Sequence, residues 1–159
     1  MTKRQAVVEK RILPNEELLT CVAELVASGR KVVLQAKGNS MLPSIRWGLD
    51  SVELVAPSRV ESGMIALVCL KNGSYVLHRI ESVDGNRLTL RGDGNLDGRE
   101  YCTAGDVLAV VSRIIKPSGR AIDCESCCYK RRIKCWLASP RLYRRVVLGL
   151  YRRFYNTNK

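Results

Sequence analysis

Two side chains that can perform nucleophilic chemistry stand out in the sequence. Ser40 lies in the stretch KGNSMLP, between Gly38 and Pro43, and His78 is the only histidine of the chain. A serine hydroxyl is a weak nucleophile until a base removes its proton in the transition state. Histidine titrates near neutral pH and can act as that base. The alternative is an ordinary loop serine and a half-buried structural histidine.

A carboxylate near the imidazole would complete this chemistry, because it would orient the ring and stabilise the imidazolium that forms. The loop RGDGNLD supplies two candidates, Asp93 and Asp97. Gly38 allows a close approach of the backbone, and the amide of Ser40 can donate into an oxyanion hole. Alternatively, Asp93 is a turn residue whose side chain bonds to nearby amides.

Four stretches, in order along the chain, carry a family resemblance over about residues 31–115. GNSMLP resembles the G-x-S-M-x-P nucleophile motif of the superfamily that unites type I signal peptidases with LexA-like self-cleaving repressors. SGMIALVCL, YVLHRI and RGDGNLD resemble its following strand, its base-bearing strand and its Lys-Gly-Asp-Asn-type loop. The sequence departs from the family pattern at Leu49, which separates Gly48 from Asp50, and at Met64, which replaces an acid.

The residue at the base position assigns the branch that the chain resembles. Bacterial signal peptidases and LexA-like repressors have a lysine there, whereas the archaeal and endoplasmic-reticulum type has a histidine, as here. The resemblance therefore implies that Ser40 is the nucleophile and His78 the general base, with Asp93 as the orienting carboxylate and Asp97 as a second acidic position. It also places Gly38, Asn39 and Met41 in the nucleophile and oxyanion loop.

The elements that must position these residues are mostly strands. A helix is expected from Asn15, with apolar positions Leu18, Val22, Leu25 and Val26 on one face, and it should end at Gly29 and pack on a sheet. Period-two patterns then predict strands at 31–36, 51–55, 64–70, 74–79, 87–91 and 107–115. Many short strands with tight turns predict a mainly β fold, a coiled antiparallel sheet or partly open barrel. The family resemblance implies that this sheet is of the signal peptidase–LexA type.

Three segments follow from this pattern: an N-terminal helical segment over 1–30, a β domain over 31–116 and a basic tail over 117–159. The tail has 11 Lys or Arg against 2 Asp or Glu, whereas residues 1–116 have 16 against 13. Pro140 opens a helix that separates apolar residues from arginines. That helix either lies on an anionic membrane or docks its apolar side on the β body; binding of an acidic peptide or RNA would use the same charge.

The tail also contains Cys124, Cys127, Cys128 and Cys135 in the pattern C-x2-C-C-x6-C. This spacing lacks the second C-x2-C pair of a zinc ribbon, so we expect free thiols and no metal or other cofactor. Seven cysteines without a repeating framework, and no secretory signal or apolar run of bilayer length, predict a cytoplasmic protein, with peripheral membrane contact as an alternative.

Together these features predict a soluble serine endopeptidase that cleaves a peptide or precursor protein through an acyl-enzyme on Ser40. The lack of an anchor disfavours a housekeeping signal peptidase, and the single N-terminal helix disfavours a DNA-binding repressor. The alternative function is a catalytically inactive adaptor, in which the β body binds a peptide and residues 139–155 contact a membrane or nucleic acid.

Overall fold

The computed structural model describes residues 15–156 as one antiparallel sheet with three helices. In chain order the elements are α1 (Asn15–Ala27), β1 (Val32–Gln35), β2 (Ser51–Val55), β3 (Ile65–Cys69), β4 (Tyr75–Asp84), β5 (Arg87–Arg91), β6 (Glu100–Thr103), a short 3-10 turn (Ala104–Asp106), β7 (Val107–Ile115), β8 (Ala121–Asp123), α2 (Cys127–Ala138) and α3 (Arg141–Asn156). All six predicted strands are present, and the mainly β fold is confirmed. α1 begins at Asn15, where the sequence predicts a helix.

The strands follow the order β1-β2-β7-β3-β4-β5-β6, and β8 pairs with the end of β7. Every pairing is antiparallel, and the register shifts at three places, between Glu53 and Leu54, between Leu67 and Val68, and between Ile80 and Ser82. Such irregularities bend strands and increase their twist, so the sheet curls as a coiled sheet instead of lying flat.

The curled sheet has a core on each of its faces. Val22 and Val26 of α1 pack on one face, as the spacing of its apolar residues predicts, and Tyr129 and Ile133 of α2 complete the same cluster. The second cluster is made by β3, β4, β5 and β7, with Ile80 and Leu90 fully buried. β4 therefore has a core on both sides, which fixes the direction of each of its side chains.

Residues 117–156 continue this architecture. β8 adds a strand to β7. The sequence predicts no secondary structure for the residues of α2. This helix begins after Ser126, whose side chain accepts a hydrogen bond from the amide of Tyr129. α3 follows Pro140, where the sequence predicts it. Among the helices of residues 15–156, none has the length and apolar character needed to cross a bilayer.

Candidate active site

Ser40 lies on a tight turn between β1 and β2 whose apolar residues are anchored in the core. Gly38 has φ +85°, a left-handed conformation that glycine adopts without a side-chain clash. After it, Met41, Leu42 and Ile45 are almost fully buried, whereas Ser40 itself is half-buried. The turn therefore holds the serine hydroxyl at the surface of a packed segment. Met41, expected in the oxyanion loop, contributes its side chain to the core.

The loop between β5 and β6 packs its backbone against this turn. The amide of Gly94 donates a 2.7 Å hydrogen bond to the carbonyl of Ser40. A Cβ on Gly92 would overlap that same carbonyl oxygen, and a Cβ on Gly94 would lie 2.8 Å from the carbonyl oxygen of Asn39. The two glycines of RGDGN are thus required by the close approach of two backbones, and the position of Ser40 depends on them.

Ser40 and His78 line the same pocket, which has a volume of about 150 Å³. Its other walls are the Lys37–Gly38 backbone region and apolar side chains from two elements, among them Tyr75 and Leu77 of β4. Within residues 15–156, neither the hydroxyl nor the amide N–H of Ser40 forms a hydrogen bond, and none joins Ser40 to His78. The serine and the histidine therefore line one pocket without a direct bond between them.

The imidazole of His78 is held by a carboxylate that the sequence analysis missed. Nδ1 of His78 lies 2.8 Å from Oε2 of Glu100, the first residue of β6. An ionised carboxylate can only accept a hydrogen bond, so a neutral ring in this contact carries its proton on Nδ1 and keeps the lone pair on Nε2. His78 is 6% exposed, and the Glu100 side chain is 28% exposed. The ring is thus fixed in the tautomer that a general base needs.

Asp93 does not contact His78, which corrects the role expected for it. Its carboxylate is fully buried and pairs with Arg79, through Nε at 2.7 Å and Nη2 at 2.6 Å, and it accepts a hydrogen bond from the Ser44 hydroxyl. Adjacent residues of a strand point to opposite faces, so Arg79 and His78 cannot share a carboxylate partner easily. Asp93 neutralises a buried guanidinium; this pairing raises the pKa of Arg79 despite the opposing effect of burial.

Asp97, the other expected acid, lies outside the pocket. Its side chain is 70% exposed and forms an ion pair with Arg141 of α3. The loop extends away from β4 after Gly94, which carries Asp97 toward the helix and not toward the imidazole. The structure therefore brings together Ser40, His78 and Glu100, and it places both predicted aspartates elsewhere.

The two C-terminal helices hold the supporting loop in place. Trp136 of α2 donates from Nε1 to the carbonyl of Asp93 at 3.2 Å, and Arg144 of α3 donates to the same carbonyl at 3.1 Å. Arg152 reaches the carbonyl of Gly94 at 3.4 Å. The basic tail is thus in contact, through one loop, with the turn that carries Ser40.

Asp50, in the stretch that departs from the family pattern, lies in a buried cluster of charged groups. It is fully buried and accepts hydrogen bonds from the Arg46 amide and guanidinium and, at 2.6 Å, from Lys116. Burial by itself would raise the pKa of Asp50, but the hydrogen bonds from Arg46 and Lys116 outweigh it and lower that pKa. This cluster joins the segment after the Ser40 turn to the residue that follows β7.

The four tail cysteines are spread over α2 and the residues before it. Cys124 is half-buried, and burial raises the pKa of its thiol to about 11, whereas Cys127, Cys128 and Cys135 are exposed. Within residues 15–156, no group of three or more His, Cys, Asp or Glu side chains is arranged to hold a metal ion.

Comparison of the sequence with models of known protein families finds no match, and comparison with curated proteins finds no significant relative. The resemblance to the signal peptidase–LexA superfamily therefore rests on the four ordered motifs of the sequence alone.

Proposed function

We propose that this chain is a serine endopeptidase, with Ser40 as the nucleophile, His78 as the general base and Glu100 as the carboxylate that orients it. The observation that carries the proposal is that Ser40 and His78 line one pocket, while Nδ1 of His78 is bound to Glu100.

The first half of the reaction follows from these positions. A substrate peptide bond enters the pocket, and Ser40 Oγ attacks its carbonyl carbon while Nε2 of His78 takes the hydroxyl proton. Glu100 stabilises the resulting imidazolium through the hydrogen bond to Nδ1. The amide N–H of Ser40, which has no acceptor among the described residues, is free to donate to the oxyanion.

The second half transfers this proton to the amine product and restores Ser40 with a proton from water. The imidazolium gives it to the leaving amine, the C–N bond breaks, and an acyl-enzyme remains on Ser40. Nε2 then takes a proton from a water that attacks the ester carbonyl, and it gives this new proton to Ser40 Oγ as the acyl–Oγ bond breaks and the acid product leaves. In this account Asp93 and Arg79 hold the supporting loop and take no part in proton transfer.

The finer assignments of fold and location belong to the same proposal. The coiled antiparallel sheet, with the serine turn before β2 and the histidine on β4, supports the signal peptidase–LexA type. Seven free cysteines agree with a reducing, cytoplasmic environment, and we propose a peptide or precursor protein of that compartment as the substrate.

Cleavage of a diverse peptide library, followed by mass spectrometry, tests this function. The wild type, Ser40→Ala and the control Ser118→Ala, which removes an exposed turn hydroxyl, are compared at equal concentration. We expect cuts by the wild type and Ser118→Ala alone. Wild-type and Ser40→Ala proteins that are both folded and cut nothing would instead support the inactive peptide-binding adaptor.

A further inference from the structure

The orientation of α3 is the reverse of that expected for a helix packed on a protein surface. Its buried positions are Arg144, 4% exposed, and Leu148, 3% exposed. The opposite side carries an apolar set that we call the α3 outer face: Leu142 (74% exposed), Tyr143 (56%), Val146 (56%), Leu150 (52%) and Phe154 (70%). A surface helix ordinarily turns its apolar side inward and its charges outward.

The inward side of α3 is held by specific contacts, so the orientation is built into the fold. Arg144 stacks on Trp136, with its guanidinium carbon 5.3 Å from the ring centroid, and donates to the Asp93 carbonyl. Arg152 donates to the Gly94 carbonyl, and Arg141 pairs with Asp97. Burial, together with nearby Arg91, lowers the pKa of Arg144, which shows that the body accepts a cation at some electrostatic cost. The apolar side remains outside.

The spacing on the helix makes the α3 outer face continuous. Leu142, Val146 and Leu150 follow each other at intervals of four residues, so they form one row along the axis. Tyr143 and Phe154 lie beside that row, and Arg145 lies at its border on the other side. Five exposed apolar side chains on one helix face exceed the scattered apolar residues of an ordinary surface.

The net charge of the two C-terminal helices indicates what covers this face. Residues 127–156, which form α2 and α3, contain nine Lys or Arg and no Asp or Glu. Arg131, Lys134 and Arg145 are exposed. An amphipathic helix whose apolar side enters the acyl boundary while its cations remain at the phosphate level binds an anionic bilayer by both contributions.

Two other occupants fit this pattern less well. A second copy would bring two such cationic surfaces together, and their repulsion opposes association through this face. A nucleic acid presents anionic phosphates at its surface and would leave the apolar outermost row in water. We therefore propose that the α3 outer face docks in the interface of an anionic lipid bilayer, in the plane of the membrane.

This proposal does not depend on the proposed peptidase activity, because none of the docking residues lines the Ser40 pocket. It does give α3 a double role. The helix that contacts the bilayer also bonds, through Arg144 and Arg152, to the loop beneath Ser40. A docked enzyme would cleave substrates that are concentrated at the same surface.

Vesicle flotation of the full chain tests the proposal. The vesicles contain phosphatidylcholine alone, or phosphatidylcholine and phosphatidylglycerol in equal amounts. Val146→Asn/Leu150→Asn removes two apolar side chains from the face without changing charge. The matched control is Val33→Asn/Val83→Asn, at two exposed valines of β1 and β4. Circular dichroism melting verifies that all variants fold.

We expect the wild type and the control to float with the anionic vesicles and not with phosphatidylcholine alone, and added salt to weaken the binding. The affinity of the α3 variant for the anionic vesicles should fall at least roughly tenfold, because two aliphatic side chains that would enter the bilayer are lost. Ser40→Ala should float as the wild type does, so cleavage and docking are measured separately.

Three results would overturn the proposal. The first is a wild type that does not float with anionic vesicles, and the second is an α3 variant that binds as tightly as the wild type. The third is a protein that does not bind vesicles but forms a dimer in sedimentation equilibrium, with the dimer lost in the α3 variant. That last result would assign the face to a second copy of the chain.

Discussion

Nδ1 of His78 and Oε2 of Glu100 lie 2.8 Å apart, although 22 positions separate the two residues in the chain. The contact joins β4 to β6 across the intervening strand β5, in which Leu90 pairs with Ile80 on one side and with Glu100 on the other. His78 is two residues before Ile80 and so points to the same face. Strand pairing, and not the loop after β5, supplies the carboxylate.

Glu100→Gln should separate orientation of the ring from stability. The amide cannot stabilise an imidazolium by charge, so we expect kcat for peptide cleavage to fall roughly a hundredfold or more. Because the Glu100 side chain is 28% exposed, the melting temperature should change little. Steady-state cleavage and thermal unfolding measure the two effects. Glu61→Gln, at an exposed glutamate, is the control and should retain full activity.

Asp93→Asn should have the opposite effect. Removing this charge leaves the Arg79 guanidinium, whose side chain is 2% exposed, without its partner. Breaking a buried ion pair by removing one member costs about 3–5 kcal/mol in the free energy of unfolding. Urea unfolding should show this loss. Asp97→Asn, at the exposed ion pair with Arg141, should cost no more than about 1 kcal/mol. A stable Asp93→Asn enzyme that lacked activity would return the orienting role to Asp93.

Gly92→Ala should displace the nucleophile turn. The new methyl group would overlap the Ser40 carbonyl, so either the turn or the loop must move, and we expect a large fall in kcat with a smaller fall in stability. Gly98→Ala in the same loop is the control, because its Cβ would meet the Asn95 amide at 4.0 Å, an ordinary contact. Equal activity of the two variants would show that the loop does not position Ser40.

Asp50 predicts an acid-dependent part of the stability. Its pKa is lower in the folded protein than the ordinary value of 3.8, because the Arg46 and Lys116 hydrogen bonds outweigh burial. The unfolded chain therefore binds the proton first as pH falls. The stabilisation is fully present above the ordinary pKa and is lost as pH falls through the lowered one.

Unfolding free energies of the wild type and Asp50→Asn should then differ by about 1–3 kcal/mol at neutral pH and converge in acid. Denaturant titrations over a series of pH values measure this difference. A gap that stayed constant down to the lowest pH would contradict the role given to the Asp50 carboxylate.

The sequence predicted the strands well because their period-two patterns are local. β6 was missed because its four residues, EYCT, are too short for a pattern and follow a loop of glycines and acids. Glu100 was missed for the same reason, since its relation to His78 depends on a register that only the assembled sheet defines. The expectation that Asp93 orients His78 failed because nothing in the local sequence indicated the burial of Arg79. This residue follows His78 and needs an anionic partner when it is buried.

The orientation of α3 also lay beyond the sequence. A helical wheel separates Leu142, Val146 and Leu150 from the arginines, but it does not say which side meets the body. The answer depends on acceptors in the Asp93–Gly94 loop and on the ring of Trp136, all distant in sequence. The pattern predicted an amphipathic helix, and the direction came from tertiary contacts.

Covalent labelling of Ser40 tests the central claim most directly. The full chain is treated with a fluorophosphonate, which reacts with serine hydroxyls activated by a base, and the modified residue is located by peptide mass spectrometry. We predict modification of Ser40 in the wild type and in Ser118→Ala, and its loss in a folded His78→Ala variant. A folded wild type in which Ser40 stays unmodified, or equal modification of Ser40 in His78→Ala, would contradict the Ser40–His78 mechanism.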